Sequence, residues 1–192
     1  MAGITYRADY EEPVDWSKTY IICPNHNSNL DIPAMCVLVK NDCSFMGKEE
    51  LSNEAVTSFF FRTVDIAVNR DSKMSSYRAF KNAAAKLAAG TSVIIFPEGG
   101  IADDYPPQLQ SFKNGAFRLA IESKIPVLPV TILNSWEIMW DNGLKYGSQP
   151  GICHIFVHRP LQTAHMHSYD VNVLRDRVYD VIKQKLDENG HR

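Results

Sequence analysis

Nowhere in the 192 residues do about eighteen apolar residues follow one another, the length that a membrane-crossing helix needs. Positive charge is not in excess either: 20 Lys and Arg against 22 Asp and Glu give a net charge of −2. That balance argues against nucleic acid as a partner, which would require a basic surface. The four cysteines, Cys23, Cys36, Cys43 and Cys153, form no CxxC pair. They read as free thiols in a reducing compartment, not as a disulfide frame or a zinc site. His154, His158, His165 and His167 match no zinc-ligand spacing, so no metal site is expected. There is no internal repeat, low-complexity tract or linker. The chain starts abruptly at Met1-Ala2-Gly3 and runs quickly into polar residues. This leads to the expectation that it is a fragment whose upstream segment is missing.

What is present alternates. Residues 1–18 read as a strand fragment and an acidic turn. Short apolar or β-branched runs at 19–23, 43–46, 64–68, 91–96, 127–133 and 152–158 read as strands. Between them, helical spacing covers 30–39, 48–62, 72–89, 112–123 and 168–188, and residues 103–110 form an irregular loop with two prolines. Gly90 and Asn189-Gly190 supply helix stops. Strands alternating with helices indicate an α/β fold, a single domain over 1–192 with a largely parallel mixed sheet flanked by helices. The length is enough for one self-sufficient core.

Chemistry concentrates where strands hand over to helices, because ligands of α/β sheets collect beyond the carboxyl ends of strands. The first such handover is Cys23-Pro24-Asn25-His26-Asn27-Ser28-Asn29-Leu30-Asp31. If His26 lies on the loop and Asp31 on the first helical turn, the carboxyl curls back toward one imidazole nitrogen. A carboxylate there sets the tautomer and stabilises the imidazolium, leaving the other nitrogen to take a proton from a hydroxyl. Histidine side chains suit this work because their ordinary pKa of about 6.5 lies near working pH. The same residues also fit a plainer reading, in which Asn29 or Asp31 caps the helix and Pro33 occupies its first turn.

The second handover is Phe96-Pro97-Glu98-Gly99-Gly100, again directly after a strand. Two glycines let backbone N–H groups approach an oxyanion or a phosphate, and Glu98 adds an acceptor for a hydroxyl. A simple tight turn has the same composition. Arg70 and Lys113 are the cations expected beside this site, Arg70 because it too follows a strand. Lys113 lies near a helix start, where a basic residue opposes the macrodipole. Two apolar groups stand apart. Phe59-Phe60-Phe61 offers more rings than one buried face needs. Trp136, Ile138, Met139 and Trp140 form a cluster that suits either a core or a bilayer interface.

These residues carry a resemblance. Asn25-His26-Asn27-Ser28-Asn29-Leu30-Asp31 resembles the NHxSxxD block of the glycerolipid acyltransferases, typified by lysophosphatidic acid acyltransferase. Phe96-Pro97-Glu98-Gly99 is similar to that family's FPEG block. Asp65-Ile66-Ala67-Val68-Asn69-Arg70 falls where its arginine-ending second block belongs. Ile125-Pro126-Val127-Leu128-Pro129-Val130 matches its fourth, proline-bearing block, and Phe112-Lys113-Asn114-Gly115 is similar to the FK-x-G element after the third. The blocks occur in the family's order across roughly residues 20–132. The pattern departs at Gly100-Ile101, where the family often has Thr-Arg, and at Asp65 and Ala67, where it usually has Gly and Phe. Those positions shape the acceptor's phosphate site, so the acceptor head group stays open.

The resemblance implies a glycerol-3-phosphate acyltransferase-like fold. It also implies transfer of an acyl group from acyl-CoA or acyl-carrier protein to a lysolipid hydroxyl, without metal or redox cofactor. The chain would work peripherally at a membrane surface, on its cytoplasmic side. His26 and Asp31 are then the catalytic pair, and Arg70, Glu98, Gly99, Gly100 and Lys113 bind substrate. Backbone N–H groups around Gly99 and Gly100 would face the tetrahedral oxyanion, each well-placed donor worth ~3 kcal/mol. Two other readings remain. Cys23 or Ser28 could act as nucleophile in a thioesterase or lipid hydrolase, although Ser28 lacks the Gly-x-Ser-x-Gly elbow. The fold could also serve a non-catalytic lipid-binding relative.

Overall fold

The structure, a computed structural model, describes residues 3–48, 66–68, 72–140 and 144–190. Lys48, the expected start of the helix over 48–62, ends a strand instead; the rest of that helix, with its three phenylalanines, lies outside the described residues, as do Asp65, Asn69 and Arg70 of the arginine-ending block.

Among the described residues, seven strands form one sheet: β1 Ile4–Tyr10, β2 Ile21–Pro24, β3 Cys43–Lys48, β4 Ile66–Val68, β5 Ser92–Ile95, β6 Val127–Ile132 and β7 Gly151–Val157. Their spatial order is β1-β7-β6-β2-β5-β3-β4. From β6 to β4 all neighbours run parallel, whereas β7 is antiparallel to β6 and carries β1 parallel to itself. The central strands β2, β5 and β6 are buried at every position. That explains their near-continuous apolar runs, since a strand covered on both faces has no polar side to show. At the edge, β1 alternates polar and apolar residues, as a strand with one wet face does.

Helices α1 Asp31–Leu38, α2 Lys73–Ala88, α3 Gly115–Ser123, α4 Ser135–Ile138 and α5 Val171–Glu188 cover the sheet. Successive strand side chains point to opposite faces, and the core divides accordingly. Ile21, Val93, Ile95 and Val127 pack with Ala83 and Leu87 of α2, Phe117 and Ala120 of α3, and Leu174, Val178 and Ile182 of α5. Ile22, Ile94, Leu128, Val130 and Ile132 pack on the other face with Ala34, Met35 and Leu38 of α1 and Ile138 of α4.

Several boundaries move for local reasons. Ser72 accepts the Ser75 N–H and caps α2 from outside, so that helix begins one residue later than its pattern. The helix expected from residue 112 begins at Gly115, because Phe112 is turned into the core and the Lys113 N–H donates to the Pro97 carbonyl. The last helix starts as a 3₁₀ turn, Ser168–Asp170, before α5. The short α4 turn has no periodicity to announce it.

Leu174 is fully buried in α5 while its neighbour Val173 is 62% exposed. Leu174→Ala should lower the unfolding free energy by roughly 2–5 kcal/mol, the cost of lost burial plus a cavity. Val173→Ala should stay within about 0.5 kcal/mol. Urea titrations of both variants measure the difference.

Candidate active site

β2 lies between β5 and β6, parallel to both, so the loops that follow these three strands open at one edge. Asn25 fixes the first loop there. Its side-chain amide donates to the Ile132 carbonyl at 3.0 Å and accepts the Ile132 N–H at 2.7 Å, tying the end of β2 to the end of β6. The next residue, His26, is therefore held at the rim.

His26 Nδ1 lies 2.9 Å from Asp31 Oδ2. The same oxygen accepts the Asn27 N–H at 2.6 Å and the Ser28 N–H at 2.9 Å. An oxygen already taking two N–H donors acts as acceptor toward the imidazole too, which places the ring proton on Nδ1 and leaves the Nε2 lone pair available. Asp31 is completely buried, while 12% of the His26 side chain remains exposed. The imidazole stacks on Phe96, ring centroids 4.0 Å apart and planes 23° from parallel. The N–H groups that Asp31 takes precede α1, so its side chain organises the loop and does not cap the helix. The tie between His26 and Asp31 expected from their spacing is present.

Glu98 also reaches the site, joined to backbone. One carboxyl oxygen accepts the His26 N–H at 2.7 Å and the other the Gln110 N–H at 2.8 Å. The side chain thereby links the loops after β2 and β5 to the strap that precedes α3. Burial pushes its carboxyl up to about 8, with the nearby Asp31 charge adding to the rise against the two N–H bonds, which pull it down. A neutral Glu98 spares the site a second negative charge beside Asp31.

Gly99 takes φ +86°, a backbone region that favours glycine. Its N–H donates to the Phe96 carbonyl and is committed to the turn, so an oxyanion donor from these two glycines falls to Gly100, which is exposed. Lys113 is brought beside the turn through its backbone bond to Pro97, and its side chain is exposed. Arg70 lies outside the described residues. The rival nucleophiles are not poised. Cys23 is fully buried, and burial pushes its thiol up. The buried Ser28 hydroxyl donates to the Met139 carbonyl and accepts the Leu30 N–H.

Three participants escaped the sequence reading: the Phe96 ring, the Gln110 N–H and Ser135. The Ser135 hydroxyl lies 2.5 Å from Asp31 Oδ1. The topological rule that singled out His26 and Glu98 would have found it, since Ser135 follows β6 at the same edge. Ile138 and Trp140 are core residues, 4% and 5% exposed. Tyr105 packs edge-on against Trp136 and Trp140 and stacks on Tyr146.

The layout defines an α/β protein with a histidine–acid centre at the carboxyl edge of a largely parallel sheet. The chain belongs to the acyltransferase family, whose model, described as "Acyltransferase", matches residues 6–133. It is 26% identical over 165 residues to the 1-acyl-sn-glycerol-3-phosphate acyltransferase alpha of Mus musculus, covering 84% of this chain and 56% of that protein. It is 24% identical over 194 residues to the 1-acyl-sn-glycerol-3-phosphate acyltransferase of Saccharomyces cerevisiae, covering all of this chain and 63% of the relative. The chain thus spans little more than half the length of these curated relatives. The crystal structure of the 1-acyl-sn-glycerophosphate (LPA) acyltransferase PlsC from Thermotoga maritima superposes with a TM-score of 0.73. Identity there is 27%, over 96% of this chain and 73% of that one.

Glu98 supplies a pH test. With its carboxyl raised from 4.5 to about 8, the folded state keeps a proton that the unfolded chain releases. Its contribution to stability is therefore present below about 4.5 and is lost as pH rises through about 8. Glu98→Gln removes the titration but sets an amide NH2 against one of the two N–H donors, so it should be less stable than the parent near pH 4.5, and that deficit should shrink steadily up to pH 8.5. Urea unfolding across that range checks this, and a pH-independent difference would contradict it.

Proposed function

We propose that this chain moves a fatty acyl group from a thioester, acyl-CoA or acyl-carrier protein, to the hydroxyl of a lysophospholipid such as lysophosphatidic acid. The observation that carries the reading is the His26 Nδ1–Asp31 Oδ2 bond of 2.9 Å at a strand end, with Nε2 left available. Nε2 takes the hydroxyl proton as that oxygen bonds to the thioester carbon. Asp31 stabilises the imidazolium. When the tetrahedral adduct collapses, the carbon–sulfur bond breaks and Nε2–H returns its proton to the departing thiolate. Gly100 N–H is the donor proposed for the oxyanion, and Arg70 and Lys113 are proposed for the acceptor's phosphate. No metal or redox cofactor enters this sequence of steps.

The names of the relatives support the acceptor class. Because that acceptor is amphiphilic, the chain is proposed to work peripherally at a membrane, on its cytoplasmic side. Exposed rings give this support. Tyr105 and Tyr146 are each 49% exposed, and Lys145 sits over the Trp140 and Tyr146 rings beside Leu144, 87% exposed. Among the described residues, no helix is long and apolar enough to cross a membrane.

His26→Ala should abolish transfer, a loss of ~10²–10⁴-fold or more, while the far-UV circular dichroism is kept. Asp31→Asn should be comparably inactive. The assay follows thiol release from acyl-CoA with and without lysophosphatidic acid. Release independent of the acceptor, or ordinary turnover by His26→Ala, would refute the proposal.

A further inference from the structure

Asp31 has two carboxyl oxygens, and they are served unequally. Oδ2 receives His26 Nδ1, the Asn27 N–H and the Ser28 N–H. For Oδ1 the hydrogen bond described is from the Ser135 hydroxyl, at 2.5 Å. Ser135 comes from 104 residues further along the chain and is fully buried. It belongs to none of the blocks on which the family resemblance rests. From this geometry we infer that Ser135 is a positioning residue for proton transfer: its hydroxyl fixes the plane of the Asp31 carboxyl and tunes the grip of Asp31 on the His26 imidazolium.

The torsion that turns an aspartate carboxyl is broad and poorly confined by itself. Three donors hold Oδ2 in place, yet χ1 and χ2 can still turn together about that oxygen, and a donor on Oδ1 removes this remaining freedom. The hydroxyl can do this only if its own backbone is held, and it is. Asn134, one residue earlier, accepts the His154 N–H at 2.8 Å and donates to the Ile152 carbonyl at 3.0 Å, which fastens α4 to β7. At the other end, the Met139 carbonyl accepts the Ser28 hydroxyl. The α4 turn thus grips the His26–Asp31 loop at two points. A fully buried hydroxyl spends its proton inside the protein, and here it spends it on the catalytic acid.

The electrostatic sign follows. A donor on Oδ1 disperses carboxylate charge. Without it the charge bears more fully on Nδ1–H, and the imidazolium is held more tightly. The other titratable groups facing Asp31 are Glu98 from beyond β5, Tyr6 from β1 and Cys153 from β7. Burial holds the Tyr6 hydroxyl and the Cys153 thiol up at about 12, and Cys36 beside Tyr6 is raised as well. Glu98 titrates near 8, so the acid side of a pH profile is free of all four.

The kinetic arm of the test rests on the proposed acyl transfer, and the spectroscopic arm does not. Ser135→Ala and Ser135→Thr are compared with the parent chain. In Ser135→Ala, kcat with acyl-CoA and lysophosphatidic acid should fall about tenfold or more, as expected for one lost hydrogen bond to a charged group. KM should stay within about twofold. By nitrogen-15 NMR of labelled histidines, the pH at which the residue-26 ring gains its proton should move up. Ser135→Thr, which keeps a hydroxyl, should restore both. Should Ser135→Ala fail to fold, Ser135→Cys, a weaker donor of similar size, should show the same upward movement. A ring titration that stays or falls overturns the inference whether or not transfer is detected. So does a kcat loss that threonine does not repair.

Discussion

A completely buried carboxyl group governs this molecule. Taking an acid out of water costs several kcal/mol unless donors replace the lost hydration. Asp31 receives four: the imidazole, two backbone N–H groups and a serine hydroxyl. Meeting that demand fixes the loop after β2 and orients the histidine ring. It also draws in a turn from beyond β6. The sheet makes this economical, because three adjacent parallel strands deliver their following loops to the same edge. The rest of the fold supplies two apolar layers that keep those strand ends in register.

Glu98 answers a related problem in another way. Two acids near one imidazole would repel each other and weaken any attraction for an anionic acceptor. Burial raises Glu98 to about 8, so it bridges backbone groups as a largely neutral acid at physiological pH. Loop architecture and charge balance are settled by one side chain, which makes this glutamate more a strut between loops than a lone hydroxyl acceptor.

The central strands were legible in the sequence because complete burial writes itself as unbroken apolar runs, as in Ser92–Ile95 and Val127–Ile132. The His26–Asp31 tie was legible because five positions is a distance that local backbone can close. Periodicity reports that a residue is buried but never names its partner. Nothing near Glu98 in sequence reveals that Gln110 and His26 will share it, or that the Gly99 N–H will be used up inside its own turn. The direction of β7 was equally hidden, since strand propensity is the same for either orientation.

The family's matching segment ends at residue 133, two positions short of the serine that steadies the buried acid. Functional boundaries drawn from recognisable blocks alone would therefore cut this protein in the wrong place. A truncated piece would carry every signature by which such proteins are recognised, yet its acid would be left swinging on one oxygen. The end of β6 thus belongs to the centre as much as the blocks before it, and the shortest piece of this chain that holds its acid on both oxygens runs at least to Ser135.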